Sequence, residues 1–410
     1  MSSSIETIQE GSVTSPSDFY AAGVACGIKA NNVLDLALVY STGPCVSAAM
    51  FTTNLFKAAP VLYDQRILEQ NPAGLRAVVI NSGCANACTG APGLQDAEDT
   101  AAAAAAALGV AAEDVMVMST GVIGARLPME RVLAGVKDAA SRLSDDVEAG
   151  HAAARAIMTT DTHLKESAVR VSVDDVEFTI AGMIKGAGMI HPNMATLLCL
   201  LTTDALITQS LADRALREAV DQTLHRITVD GDTSTNDTAL LMANGRAEMP
   251  PIVAADTQVY EAFVRGLTQV LAELAKAVVR DGEGATRFIE ITVRGAATRD
   301  AARQVGMSIA RSLLVKTAIY GQDANWGRII CAAGYSGVDF SPDRVGVWLG
   351  DLELVREGAP YHIDEARAAE ILAQEDIPIV VDLGQGDAEA TVWTCDLSHG
   401  YVDVNAHYRT

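Results

Sequence analysis

The chain of 410 residues carries 30 basic and 52 acidic side chains, a formal charge of −22, with 49% hydrophobic and 20% charged residues. A surface this acidic repels phosphate backbones, which argues against a nucleic-acid partner, and no uncharged apolar run reaches the roughly 18 residues of a membrane span. Seven cysteines at irregular spacing do not make a disulfide framework, and the opening MSSSIE lacks the basic flank and apolar stretch of a signal peptide, so a reducing cytoplasm is expected.

At roughly 150 residues per domain, the length predicts two or three domains. Leu75 to Ile80 reads as a buried strand that runs into a loop of small residues, Asn81 to Gly90. The next segment, Asp96 to Leu108, holds seven consecutive alanines, Ala101 to Ala107, with Asp96, Glu98 and Asp99 suited to a helix N-terminus and Gly109 to its C-terminal stop. A second strand, Val115 to Met118, leads into Ser119-Thr120-Gly121-Val122-Ile123-Gly124, and Pro128 opens an amphipathic helix. Strict alternation through Val169, Val171 and Val173, then Val176, Phe178 and Ile180, predicts a hairpin turning at Asp174-Asp175.

That hairpin delivers the chain to a glycine-rich approach, Lys185 to Thr196, followed by a buried strand, a helix from about Ser210 to Leu224, and a long helix with Val259, Phe263, Leu267, Val270, Leu271, Leu274 and Val278 on one face. Asp281-Gly282-Glu283-Gly284 ends it. The pattern then restarts with a strand at Ile289 to Val293, helices over Ala301 to Leu314 and Asp364 to Gln374, and strands at Ile379 to Leu383 and Ala388 to Asp396. The restart sets a domain boundary near Ala285 and predicts a second, smaller α/β unit.

Several chemistries fail on spacing. Gly186-Ala187-Gly188 lacks the third glycine of a dinucleotide loop, and there is no Walker loop. The seven histidines are scattered and Cys84 and Cys88 have no ligand cluster beside them, so neither a metal nor an organic cofactor is expected. In Lys185 to Asp204, two glycines and a proline precede Met194-Ala195-Thr196 and an apolar strand, which puts a hydroxyl at a strand start. Such a threonine becomes a nucleophile once a base takes its proton, and its own α-amine, freed by cutting the preceding bond, can be that base. From spacing alone, the plainer reading of Thr196 is a β-branched residue filling a strand, and Thr120-Gly121 reads as a turn.

Ordered blocks across nearly the whole chain alter that balance: Ser12 to Pro16 with Ala21 to Val24, Asn81 to Gly90, Ser119 to Gly124, Met158 to Thr162, Lys185 to Thr196, Asp281 to Thr286, Leu314 to Ala318, Asn325 to Arg328, and Asn405 to Thr410. On these blocks the chain resembles the ornithine acetyltransferase family of arginine biosynthesis, also called glutamate N-acetyltransferase. The resemblance implies a chain that cuts itself between Ala195 and Thr196 into an α chain, 1–195, and a β chain led by the nucleophile Thr196. Acetyl would pass from N2-acetyl-L-ornithine to Thr196 and then to L-glutamate in a ping-pong sequence, with Thr120 and Gly121 as the oxyanion hole. Acetyl-CoA as a further acyl donor stays open.

By the same resemblance, Thr160, Lys185, Thr196, Glu283, Asn405 and Thr410 contact substrate. Lys185 would pair with a carboxylate and Glu283 with an ammonium, as amino acid substrates require. Thr162 is the alternative to Thr160. The implied fold is α/β: a four-layer αββα sandwich over residues 1–285, assembled from both cleaved chains, with a smaller α/β domain over 286–410 and an α2β2 heterotetramer as the assembly. Cys84 and Ala324 depart from the family pattern, and Cys84 could be proposed as a competing nucleophile. The rival readings are a self-cleaving amidase or aminopeptidase of related architecture and a non-catalytic amino acid binding protein.

Overall fold

The computed structural model describes residues 3–191, 197–362 and 364–407. The chain divides into two compact units, one of Met1–Gly186, Asn193–His225 and Asp232–Val278, the other of Ala187–Pro192, Arg226–Gly231 and Val279–Thr410.

The larger unit begins with strands β1 (Ser3–Thr7), β2 (Phe19–Val24) and β3 (Leu36–Phe51), helix α1 (Ala59–Gln70), β4 (Leu75–Cys84), α2 (Gly90–Leu108) and β5 (Val115–Val122). Helices α3 (Met129–Ser141) and α4 (Val147–Ile157) follow, then the hairpin β6 (Glu166–Val173) and β7 (Val176–Lys185), β8 (Leu198–Thr203) and α5 (Gln209–Gln222). After the two-residue β9 (Ile227–Thr228), which belongs to the smaller unit, come β10 (Thr238–Ala243) and α6 (Gln258–Arg280). The strands hydrogen-bond in the order β1-β6-β7-β8-β10-β3-β4-β5, with β2 also on β3.

Strand β3 joins the two halves of this sheet. Its first residues pair with β2 and β4, and Val46 to Phe51 pair with β10. Gly43 and Pro44 sit inside it, where the β4 register shifts between Tyr40 and Cys45. A proline has no N–H to give a ladder, so it is tolerated at such an irregularity and hides the strand from a reading of the sequence alone.

Helix α6 buries the stripe expected of it: Phe263, Leu267, Val270, Leu271, Leu274 and Val278 are all 0% exposed, and Val259 is half-buried at the end of the row. Phe263 meets Phe178 of β7 at 5.8 Å between ring centroids. Each such buried side chain is worth roughly 1.5–3 kcal/mol of transfer free energy.

The alanine-rich helix α2 starts at Gly90, earlier than the acidic cluster suggested. Asp96 therefore lies in its second turn, buried and paired with Arg126, while Gly109 closes the helix in the left-handed conformation at φ +70° as expected.

In the smaller unit, β11 (Phe288–Ala296) is followed by α7 (Arg299–Ala310), α8 (Leu313–Tyr320), α9 (Trp326–Gly334), β12 (Gly346–Leu349), β13 (Leu352–Arg356) and β14 (Ala359–Pro360). The chain continues through α10 (Glu365–Leu372), β15 (Asp376–Asp382), β16 (Ala388–Cys395) and α11 (His399–Ala406). The sheet order is β14-β13-β12-β15-β11-β16-β9. Its core joins Ile289, Ile291 and Val293 of β11 to Val305 and Ile309 of α7.

The single helix expected over Ala301 to Leu314 is two. Ser312 accepts a hydrogen bond from the Val315 N–H and so caps α8, which competes successfully with continuation of α7.

Candidate active site

In the larger unit, β5 runs parallel to β4 and pairs Ser119 with Asn81, Thr120 with Ser82 and Gly121 with Gly83. The strand thus continues through Val122, beyond the turn that spacing suggested, because β4 also extends to Cys84 and supplies partners. Below the pair, the Ser119 hydroxyl donates to Asn81 Oδ1 at 2.6 Å, and Asn81 Nδ2 donates to the Cys84 carbonyl at 2.9 Å. Thr120 is 4% exposed. Among the described residues nothing hydrogen-bonds to its hydroxyl.

Gly121 has φ +130°, and a Cβ there would lie 2.3 Å from the Gly83 carbonyl carbon. Only glycine fits, so its N–H is held in one direction. A bidentate contact of Arg126 with Asp96, 2.8 Å at both oxygens, ties down the loop that follows. Cys84 is no rival nucleophile: its thiol is buried, donates to the Ala125 carbonyl at 3.3 Å, and is pushed up by burial.

Lys185 ends β7 and is 3% exposed. Close to it is Asp161, in the turn after α4, which accepts hydrogen bonds from Lys165 Nζ at 2.6 Å, the Gly186 N–H at 2.7 Å and the Thr159 N–H at 2.9 Å. Burial works to raise the Asp161 carboxyl, but the charges of Lys185 and Lys165 and these donors hold it well below the usual carboxylate range.

Lys29 reaches the Met158 carbonyl at 2.8 Å, and burial, reinforced by Lys185, lowers its ammonium. Asp237, 0% exposed, is in electrostatic contact with Lys185 and is pushed well above the carboxylate range by burial. Lys29, Lys165 and Lys185 thus gather with Asp161, Asp35 and Asp237. In a chain of charge −22 this gathers three lysine ammonium groups in one place, where a substrate carboxylate could be received. Thr160 is half-buried beside Asp161, and Thr162 is exposed with its hydroxyl 2.8 Å from His163 Nδ1.

At the start of β8, the Leu197 N–H donates to Asp237 Oδ1 at 3.1 Å. Thr196 and Ala195, immediately before it, and Thr410 at the chain end lie outside the described residues.

In the smaller unit, Glu283 and Asn405 come together, with Asn405 Nδ2 donating to Glu283 Oε2 at 2.7 Å. Asn405 is not in a frayed tail but on α11, which Ser398 caps through the Gly400 N–H at 3.0 Å. A Cβ at Gly188 would lie 2.3 Å from the Glu283 carboxyl carbon, so the missing side chain makes room for that carboxylate. The segment before Thr196 is tied by Asp230, which accepts from the N–H groups of Met189 at 2.6 Å and Ile190 at 2.9 Å. His191 is pushed down to about 4 by burial and by Arg311, which keeps the ring neutral.

Thr120, Gly121, Thr160 and Lys185 therefore belong to the larger unit, and Glu283 and Asn405 form a pair in the smaller one. Sequence reasoning missed Lys29, Asp161, Asp237 and also Asn236, whose Nδ2 donates to the Ser119 carbonyl at 2.8 Å. Asp161 stands within the Thr159 to Thr162 block, and Thr233-Ser234-Thr235-Asn236-Asp237 is a run of small polar residues directly before a buried strand, the one local signal that could have found the last two. Among the described residues no group of three histidine, cysteine or carboxylate side chains could hold a metal ion.

A profile described as the ArgJ family matches residues 20–410. A protein of Symbiobacterium thermophilum named arginine biosynthesis bifunctional protein ArgJ is 50% identical over 402 residues, or 98% of this chain and 99% of that protein. The protein of the same name from Dehalococcoides mccartyi is 47% identical over 412 residues, 100% of both chains. Among solved structures, that of ornithine acetyltransferase from Mycobacterium tuberculosis, complexed with ornithine, is 46% identical over 48% of this chain and 100% of that chain, with a TM-score of 0.44.

Proposed function

Because the chain belongs to the ArgJ family, we propose that it moves acetyl from N2-acetyl-L-ornithine to L-glutamate through an acetyl ester on Thr196. It is an acetyltransferase of arginine biosynthesis. The observation that carries the reading is the kinship with proteins of that name along 98% of the chain.

The chain cuts itself before Thr196, and the freed α-amine takes the proton from the Thr196 hydroxyl as the oxygen attacks the acetyl carbonyl. Negative charge collects on the carbonyl oxygen, where the Thr120 hydroxyl and the Gly121 N–H donate to it; one such donor is worth about 3 kcal/mol in the transition state. The C–N bond breaks, the amine proton passes to the leaving ornithine nitrogen, and the glutamate amine then attacks the ester by the reverse path. Lys185 receives the substrate carboxylate, Glu283 the ammonium, and Thr160, Asn405 and Thr410 complete the contacts. The bifunctional name borne by the relatives supports acetyl-CoA as a second acyl donor.

We further infer an αββα sandwich over residues 1–285, a smaller domain over 286–410, an α2β2 assembly and a cytoplasmic site of action. The test is direct. Purified protein should give two fragments, 1–195 and 196–410, on denaturing electrophoresis, and should form ornithine from acetylornithine only slowly unless glutamate is present. An active protein that runs as one full-length band, or one equally fast with water alone as acceptor, overturns the reading.

A further inference from the structure

The polar run before β10 is a junction. Thr52, just beyond the end of β3, donates its hydroxyl to the Ser234 carbonyl at 2.6 Å and its N–H to the Asp237 carbonyl at 2.9 Å, and the Ala58 N–H donates to the Thr235 carbonyl at 2.9 Å. Within this frame, Asn236 is 5% exposed and fully used: Nδ2 donates to the Ala85 carbonyl at 2.7 Å and to the Ser119 carbonyl at 2.8 Å, while Oδ1 accepts from the Thr235 hydroxyl at 2.6 Å. Ser119 immediately precedes Thr120. The next residue, Asp237, faces the other way and accepts the Leu197 N–H, which belongs to the peptide joining Thr196 to Leu197. Its Oδ2 is buried and has no hydrogen-bond partner among the described residues.

We propose that Asn236 and Asp237 are positioning residues that hold the oxyanion strand and the nucleophile-bearing strand in register through two consecutive side chains. Their Cα atoms are about 3.8 Å apart across one trans peptide, so the link between Ser119 and Leu197 is short and stiff. Stiffness matters because a misplacement of about 1 Å between reacting groups can cost about a hundredfold in rate. A carboxyl would be an expensive choice for a purely structural pin, since burial disfavours its charge. Here the acceptor role needs only an oxygen, and Asp237 Oδ1 supplies it.

This inference rests on the roles proposed for Thr120 and Thr196, and the experiment separates the two. Steady-state kinetics are measured per active site, counted as the fraction of β chain that gains one acetyl mass on incubation with acetylornithine alone. The variants are Thr120→Val, Asn236→Ala, their combination, Asp237→Asn and Asp237→Val. Asn236→Ala should lower kcat by about 30-fold or more while KM for acetylornithine stays within about threefold, and in the Thr120→Val background the same change should cost less than about threefold, because both act on one donor. Asp237→Asn keeps an acceptor for the Leu197 N–H and should retain kcat within about fivefold, whereas Asp237→Val should not.

Fully additive losses, a wild-type kcat in Asn236→Ala, or an Asp237→Asn as slow as Asp237→Val would overturn the proposal. If Asn236→Ala does not fold, the Asp237 pair decides. A wild-type kcat in Thr120→Val would remove the oxyanion reading and this inference with it, while a slow Thr120→Val with additive behaviour removes this inference alone.

Discussion

The strand end at Thr120-Gly121 and the Glu283–Asn405 pair meet different demands. The first lies on paired strands, at a glycine whose φ of +130° and contact with Gly83 exclude any side chain. The second joins a residue in the turn after α6 to one on an eight-residue helix through an exposed side-chain hydrogen bond. A charge that exists only in the transition state needs donors that do not move. A charge that the substrate carries throughout needs only a counter-charge within reach. Changes at the first place should therefore appear in kcat, and changes at the second in KM.

The severest break in that comparison is Thr196→Ala, which removes the oxygen proposed to attack. It should leave one uncut chain on electrophoresis and no measurable acetyl transfer, and a cut or active variant would move the nucleophile elsewhere. Next is Gly121→Ala, which adds backbone strain of order 1–3 kcal/mol on top of the clash with Gly83. Its kcat should fall by about a hundredfold, with a lowered thermal midpoint. A rise in KM alone would erase the distinction.

Lys185→Met should have an intermediate effect, since it takes one charge from a buried cluster. KM for acetylornithine and glutamate should both rise by about tenfold or more, as expected for loss of a charge-assisted contact worth about 1.5–3 kcal/mol. The smallest effect is expected at Asn405→Ala, where KM should rise by about three- to tenfold with kcat unchanged, because the lost bond is exposed. A kcat defect there would show that the terminal helix serves the chemistry as well as recognition.

Regular elements were legible where one periodicity dominated. The α6 stripe and the Val169 to Ile180 hairpin each expose their pattern within one segment, and the turn falls at Asp174, which has φ +50°. Strand β3 was not legible because Gly43-Pro44 reads as a break, and only its partners β4 and β10 make a strand of both halves. The same limit applies to the candidate site. Thr120 and Gly121 stood out only through the family resemblance, whereas Asn236 and Asp237 act on Ser119 and Leu197, residues 117 and 40 positions away. The polar run before β10 marks the two residues, but nothing local names the distant partners they hold.

If the cut proposed before Thr196 is made, the place of β8 in the larger sheet has a consequence for the two fragments. Reading across the sheet, β1, β6 and β7 precede residue 195, β8 and β10 follow it, and β3, β4 and β5 precede it again. In a fragment of residues 1–195 alone, β7 and β3 would lose the neighbours β8 and β10 that fill a gap of about 14 Å, three strand spacings of about 4.8 Å, and both edges would be left unpaired. Before the cut, threading β8 and β10 into that gap is intramolecular. After it, two separate molecules must meet, so renaturation should slow as the protein is diluted and part of it should not return at all. One peptide bond would then separate a protein that folds as one molecule from one that must reassemble from two.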